Sequence, residues 1–294
     1  MPSRRPRTFY ARFRGRPSAH SPFDAYGRRL PDPAHNLHQT DAGAGLDDRV
    51  DQIAYMDTAA ATPIGTAYKQ HFAARLDLRA GHTVVDLGCG PGTDLGRLAA
   101  ATPGGRVIGI DRDPRMLAEA RRRHPTAEVH ESDLHALPLP DAGADRARTD
   151  RVLQHVDDPA RVLAEARRVL RPGGLLGLAE PDWDTLAVAD EDLVTSRAFA
   201  RFVAGRVRNA AIGRDLVRLC VAAGFEVRNV TPVPVLFRDF ATADAILGLR
   251  RNADRAVAAG ALAGPAAATW VARQERGPVV AGFTCYMVIS AAGG

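Results

Sequence analysis

The sequence predicts an α/β protein built on a doubly wound, mostly parallel sheet, and three observations predict it. Short apolar runs alternate with helical patterns between residues 83 and 180. A glycine-rich turn, VVDLGCGPGTDLGRL from Val84 to Leu98, leads from the first run into a helix. Acidic residues, Asp111 and Asp133, stand just beyond the next two runs. Such alternation marks βαβ units, in which right-handed crossovers place helices on both faces of a parallel sheet.

Taken in order, residues 1–46 read as a disordered basic extension. They are rich in Arg, Pro, Gly and His, with no sustained period. Eight arginines there face three aspartates, an excess equal to the net charge of +5. The rest of the chain is near neutral, so a solvated tail is favoured over a nucleic-acid surface. The folded domain is expected over 47–294. Its first part, 47–78, reads as helical, with Thr62-Pro63 an N-cap followed by Pro at the first helical position. That helix should run through Tyr68, Phe72 and Leu76.

Strands are then expected at Thr83–Leu87, Arg106–Ile110, Ala127–Glu131, Asp145–Thr149 and Leu175–Glu180. Helices are expected at Asp94–Ala101, Arg115–His124 and Ala160–Leu170. Beyond them, Asp190–Arg208 and Gly213–Ala223 read as helices. Phe225–Phe240 is β-rich but broken by Pro232 and Pro234, Ala241–Gln274 is helical, and Val279–Ser290 is a last strand. About 35 residues between the last two strands exceed what a hairpin needs. Segments 185–212 and 241–276 are therefore expected to be inserted lids.

Composition narrows the class. Hydrophobic residues make up 46% of the chain, enough for a sizeable core, and no run of about 18 apolar residues suggests a membrane span. Cys89, Cys220 and Cys285 are widely spaced and odd in number, which predicts no metal cluster and no disulfide framework. With no apolar leader at the start, a cytoplasmic location is expected. Lys69 is the only lysine, a bias that fits a GC-rich genome.

The glycine spacing restricts the ligand. Glycines let backbone N–H groups approach a bound molecule closely. Here the pattern is G-x-G-x-G at Gly88, Gly90 and Gly92. The dinucleotide fingerprint wants its third glycine where Thr93 stands, and the nucleotide-hydrolase loop wants a lysine that is absent. Asp111, 19 residues beyond Gly92, can accept two hydrogen bonds from ribose hydroxyls. Asp133 can accept from an adenine amino group. Asp86, beneath the loop, can orient an ammonium or else bond local backbone.

These residues carry a resemblance. VVDLGCGPG, GIDRD, ESDLHALPL and LRPGG, in that order, resemble the motif series of class I S-adenosylmethionine-dependent methyltransferases. The likeness covers about 83–180 and is similar to the ubiquinone/menaquinone-biosynthesis and natural-product small-molecule branch. It implies a Rossmann-like methyltransferase fold of seven strands with the last reversed, S-adenosylmethionine as cofactor, and methylation of O, N or C of a small acceptor in secondary metabolism. It also implies roles. Gly88, Gly90 and Gly92 would line the methionyl side, and Asp111 would hold the ribose. Arg112 would cover the adenine edge, with Met116 packed on the ring or simply in the core. Asp133 and the Leu134 backbone would read the adenine, and the Thr149 carbonyl would meet the methionyl ammonium.

On the acceptor side the residues themselves offer candidates. His155 follows the fourth strand, at the edge where open α/β sheets bind ligands, and histidine titrates near neutrality. It is a candidate general base, or it caps or packs on the next element. In EPDWD, Asp182 could orient a hydroxyl and Trp183 could wall an apolar acceptor, or Asp182 or Asp184 caps a helix. Tyr55 and Tyr68 could close over the cofactor or pack in the core. Arg146 and Arg148 stand where a buried parallel strand is usually apolar. Arg148 would meet an anionic acceptor or pair with Asp111 or Asp150. A nucleic-acid methyltransferase would carry [DN]-P-P-[YFW] where TDRV stands, so no nucleic-acid partner is expected. A non-methylating protein on the same fold is the other alternative. Oligomeric state, monomer or homodimer, is not encoded in any motif.

Overall fold

The computed structural model describes residues 46–293, with side chains from residue 52. The expected disorder of 1–46 therefore concerns residues that, but for the last, lie outside the described ones. Helices α1 (Leu46–Ala61) and α2 (Pro63–Arg75) come first. Thr62 is the cap between them: its hydroxyl accepts from the Gly65 N–H at 3.0 Å, and Pro63 takes the first helical position, where its missing N–H costs nothing.

Seven strands follow: β1 (Thr83–Leu87), β2 (Arg106–Asp111), β3 (Glu128–Glu131), β4 (Ala144–Asp150), β5 (Leu170–Val188), β6 (Phe225–Phe237) and β7 (Ala281–Ala292). Their order is β3-β2-β1-β4-β5-β7-β6. The first five pair in parallel, and β7 runs antiparallel to both β5 and β6. The strand order reverses between β1 and β4. Their carboxyl ends part there, and this is where an open α/β sheet offers a crevice.

Between the strands lie α3 (Leu95–Ala101), α4 (Pro114–Arg123), α5 (Pro159–Val169), α6 (Leu193–Gly205) and α7 (Ile212–Ala222). Then come α8 (Phe240–Leu247), α9 (Leu249–Ala258) and α10 (Gly264–Arg276). One core joins α2, α6, α8, α9 and α10 to the sheet through Phe72, Leu76, Phe199, Leu249 and Trp270. A second joins α5 and α7 through Val162, Leu163, Leu216 and Cys220.

Two strands differ from expectation. β5 continues past Glu180 because β7 gives it partners as far as Val188, across an irregularity between Asp182 and Ala187. EPDWD therefore lies within a strand, and Asp192, not Asp182 or Asp184, caps the next helix. β6 runs unbroken through Pro232 and Pro234. It is an edge strand, so the two alternate residues that lack an N–H can both face away from β7.

Both unusual arginines of β4 point towards α2, as alternate residues must. Arg146 donates to the carbonyls of Leu76 (2.6 Å) and Asp77 (3.0 Å), closing the carboxyl end of that helix. No helix among the described residues is long and apolar enough to cross a membrane.

Candidate functional site

The site is built at the carboxyl ends of β1, β2, β3 and β4. Gly88, Gly90 and Gly92 have φ of +75°, +54° and +79°, the left-handed region that side chains resist. The turn is tied to β2: Gly88 and Cys89 N–H both donate to the Ile110 carbonyl, at 2.7 and 2.9 Å. The three glycines do different work. A Cβ on Gly88 would lie 2.5 Å from the Val152 side chain, and one on Gly92 would lie 3.1 Å from Ala120 of α4. Gly92 thus seats α4 against the loop rather than presenting an open face, and its carbonyl meets His124 Nε2 at 2.9 Å. Among the described residues only the Met56 side chain, its sulfur 3.4 Å away, approaches the Cβ position of Gly90.

Asp111 ends β2 beside this turn. Its carboxylate accepts one backbone N–H on each oxygen, from Gly90 and from Asp113, both at 2.9 Å. The group is held in place, and each oxygen keeps a further lone pair for a ligand. Arg112 is exposed next to it, and Met116 is buried in α4. Beyond β3, Asp133 is exposed and accepts from the His135 N–H at 2.9 Å. That bond, with the His135 ring, holds its carboxyl below the usual range. Leu134 beside it is buried.

Thr149 is fully buried at the end of β4, its hydroxyl 3.4 Å from Glu180 Oε1. Glu180 also receives the N–H groups of Val152 and Leu153, each at 2.8 Å. Burial raises its pKa to about 7 in spite of them.

Beneath the loop lies a buried charge cluster that joins α2 to β1 and β4. Lys69 Nζ pairs with Asp94 and, at 2.7 Å, with Asp150. Arg148 donates to the same two carboxylates at 2.8 and 2.9 Å and stands 3.7 Å from Asp86. The Tyr68 hydroxyl donates to Asp150 at 2.7 Å. Burial would raise all three carboxyls. The cations overcome it at Asp94 and Asp150, whereas at Asp86 burial wins and lifts the pKa to about 6. Asp94 stands at the N-cap of α3 but makes no cap bond, because its carboxylate turns to the cluster instead.

The expected acceptor residues separate. Arg148 is 3% exposed with its terminal nitrogens on two carboxylates. The anionic-acceptor contact expected of it has no surface on which to form, and the pairing with Asp150 holds instead. Asp182 is buried within β5 and clamped by Arg214, with Nη2 at 2.7 Å, so it too is already engaged. Trp183 stacks on Phe283 at 4.8 Å and donates from Nε1 to Gln154 at 2.7 Å. His155 is exposed at the edge, though protein atoms crowd its ring. That desolvation, followed by the charges of Arg112 and Arg151, lowers its pKa. Tyr55 and Tyr68 both lie near the Arg151 guanidinium, Tyr55 on α1 and Tyr68 on α2.

Lys69, Asp94, Asp150, Arg151 and Glu180 were not singled out as site residues by sequence reasoning. One signal existed: a chain with a single lysine, on the helix ahead of the glycine turn, has a reason to keep it. Among the described residues no group of His, Cys, Asp or Glu is arranged to hold a metal ion. The arrangement offers a glycine turn whose amides are tied to β2, a fixed carboxylate at β2, a second at β3, and a sheet edge past β4 carrying His155 and Arg151.

Residues 85–178 match the family model described as a methyltransferase domain. A 37.1 kDa protein from a transposon of Streptomyces fradiae is 51% identical over 247 residues, 82% of this chain and 72% of its own length. A Mycolicibacterium smegmatis protein assigned as an S-adenosylmethionine-dependent methyltransferase is 34% identical over 154 residues, 52% of this chain and 56% of its own. An Azoarcus trans-aconitate 2-methyltransferase is 42% identical over 108 residues, 37% of this chain and 42% of its own. The chain thus spans about half the length of these last two. Among solved structures, a Bacillus halodurans protein assigned as a methyltransferase gives a TM-score of 0.57 at 17% identity, over 76% of this chain and 98% of its own.

Proposed function

Because the chain belongs to the class I S-adenosylmethionine-dependent methyltransferases, with S-adenosylmethionine as its cofactor, we propose that it methylates O, N or C of a small organic acceptor. The observation that carries this reading is the juxtaposition of the Gly90 turn with the fixed Asp111 carboxylate at the switch point of the sheet. The small acceptor is supported by the Azoarcus relative's name and by the absence of a nucleic-acid methylation loop after β4. Three free, buried thiols agree with a reducing cytoplasm.

The residues fit the cofactor. Gly88 and Gly90 would present their backbone to the methionyl part, with the Thr149 carbonyl and Asp86 below it. Asp111 would hold the ribose hydroxyls, and Arg112 and Met116 would flank the adenine. Asp133 and the Leu134 N–H would read its edge. When bound, S-adenosylmethionine supplies a methyl group already activated on a sulfonium centre. The protein's share is therefore alignment of the acceptor and exclusion of water. Trp183 and Tyr55 would wall the acceptor, beneath lids contributed by 185–212 and 241–276. His155, neutral at pH 7 because its pKa lies below the ordinary value, would accept a proton from a hydroxyl or carbon acid.

Titration calorimetry with S-adenosylhomocysteine tests the cofactor site. Wild type should bind, and Gly90→Asp should bind at least about tenfold more weakly, since the carboxylate fills the one open glycine position. Equal binding by the variant would place the cofactor elsewhere. For the base, kcat of His155→Gln should fall about 100-fold or more with cofactor affinity unchanged. An unaltered pH–rate profile would remove His155 from the chemistry.

A further inference from the structure

We propose that Arg151 is the receptor for a carboxylate on the acceptor, which makes the substrate an organic acid. The inference rests on the methyl-transfer reading above and names the substrate class of that same site.

Arg151 is the first residue beyond β4, and four observations set it apart. Its φ is +59°, a left-handed conformation that arginine rarely adopts. The backbone is held there by its N–H, which donates to the Ala179 carbonyl of β5 at 2.8 Å. An unfavourable conformation held in place at a ligand edge points from geometry to function. The side chain is 26% exposed, so the guanidinium is neither free in solvent nor sealed. Its Nε is buried with no hydrogen-bond partner among the described residues.

The neighbouring charges do not satisfy it. Among the described residues its close carboxylate is Asp150, with Oδ1 at 3.5 Å. That carboxylate already accepts from Tyr68, Lys69 and Arg148. Lys69 and Arg148 both hold Asp94 and Asp150, and Arg148 also stands 3.7 Å from Asp86. Among the described residues the Arg151 guanidinium donates no hydrogen bond, and its side chain stays partly exposed. A planar guanidinium with unused N–H groups in a half-buried setting recognises a carboxylate in bidentate fashion.

Direction separates an acceptor from the cofactor's own carboxylate. Arg151 is bonded to β5, and its surroundings include Cys285 of β7 and the rings of Tyr55 and Tyr68. β5 and β7 lie on the far side of β4 from β1, where the glycine turn begins. The Arg151 backbone is thus fixed to the strand on the side of β4 away from that turn, with His155 near enough to feel the guanidinium's charge. A carboxylate held by Arg151 would leave the rest of the acceptor between His155 and the two tyrosines.

The test uses the full-length protein loaded with S-adenosylhomocysteine and three probes, benzoate, fumarate and trans-aconitate, each paired with its neutral methyl ester. Calorimetry should show at least one acid binding more tightly than its ester. Arg151→Gln should weaken that acid at least about tenfold while S-adenosylhomocysteine affinity stays within about twofold. Arg151→Lys, which keeps the charge but loses the fork, should fall between the two and serves if the glutamine variant does not fold. Three results would overturn the proposal: no acid favoured over its ester, equal acid binding in wild type and the variants, or a loss confined to S-adenosylhomocysteine. The last would assign Arg151 to the cofactor. Failure of wild type to bind S-adenosylhomocysteine at all would instead strike the methyl-transfer reading, so the two failures are distinct.

Discussion

Burial of Glu180 among the amides that follow β4 raises its pKa to about 7 from an ordinary glutamate value of 4.5. A carboxyl whose folded pKa is raised adds stability that is full below about pH 4.5 and lost as pH rises through about 7. The difference corresponds to roughly 3 kcal/mol at most. Glu180→Gln keeps an oxygen for the Val152 and Leu153 amides but removes the titration. The drop in Tm between pH 5 and pH 8 should therefore be several degrees smaller in the variant than in wild type. Asp86, raised to about 6, contributes with the same sign in both proteins and cancels in the comparison. Equal drops would show that Glu180 does not titrate in this window. Residues of this kind were hard to read from sequence. Glu180 looked like the end of a strand, and only the fold wraps three amides around it.

At the scale of elements, β4 shows how a strand rich in arginine becomes buried. The run DRART breaks the apolar habit of parallel strands, and its sequence already demanded partners for Arg146 and Arg148. The partners come from the end of α2, from the start of α3 and from β4 itself: helix-end carbonyls for Arg146, Asp94 and Asp150 for Arg148. Removing a buried partner leaves charges that cannot return to water, at a cost of about 3–5 kcal/mol. Arg148→Leu should lower the free energy of urea unfolding by that order. A loss below about 1 kcal/mol would mean that Lys69 alone holds the two carboxylates. The extent of β5 was less legible than that of β1. Its outer half exists because β7 offers a ladder, and a ladder partner 100 residues away leaves no periodic mark on the strand itself.

Across the whole molecule, helices α6 and α10 pack on each other, in one core with the sheet. The Trp270 ring of α10 is fully buried, lies 4.8 Å from Phe199 of α6, and donates to Ser196 at 2.8 Å. Arg273 and Gln274 grip Asp190, between β5 and α6. These helices are thus part of the main core. Trp270→Ala should therefore cost about 3–5 kcal/mol of global stability, read as a shift of a single cooperative unfolding transition. A separate low-temperature transition would show that these helices unfold on their own. By itself, the sequence determined the alternation of strands and helices, the glycine turn, and the carboxylates at Asp111 and Asp133. Those features are written in local spacing, which a periodic backbone converts directly into position. Only the tertiary structure decided which arginine is buried against two carboxylates and which stays partly exposed. Arg148 and Arg151 differ by three places in the chain, and their fates depend on Lys69, 81 residues before Asp150, meeting that carboxylate first.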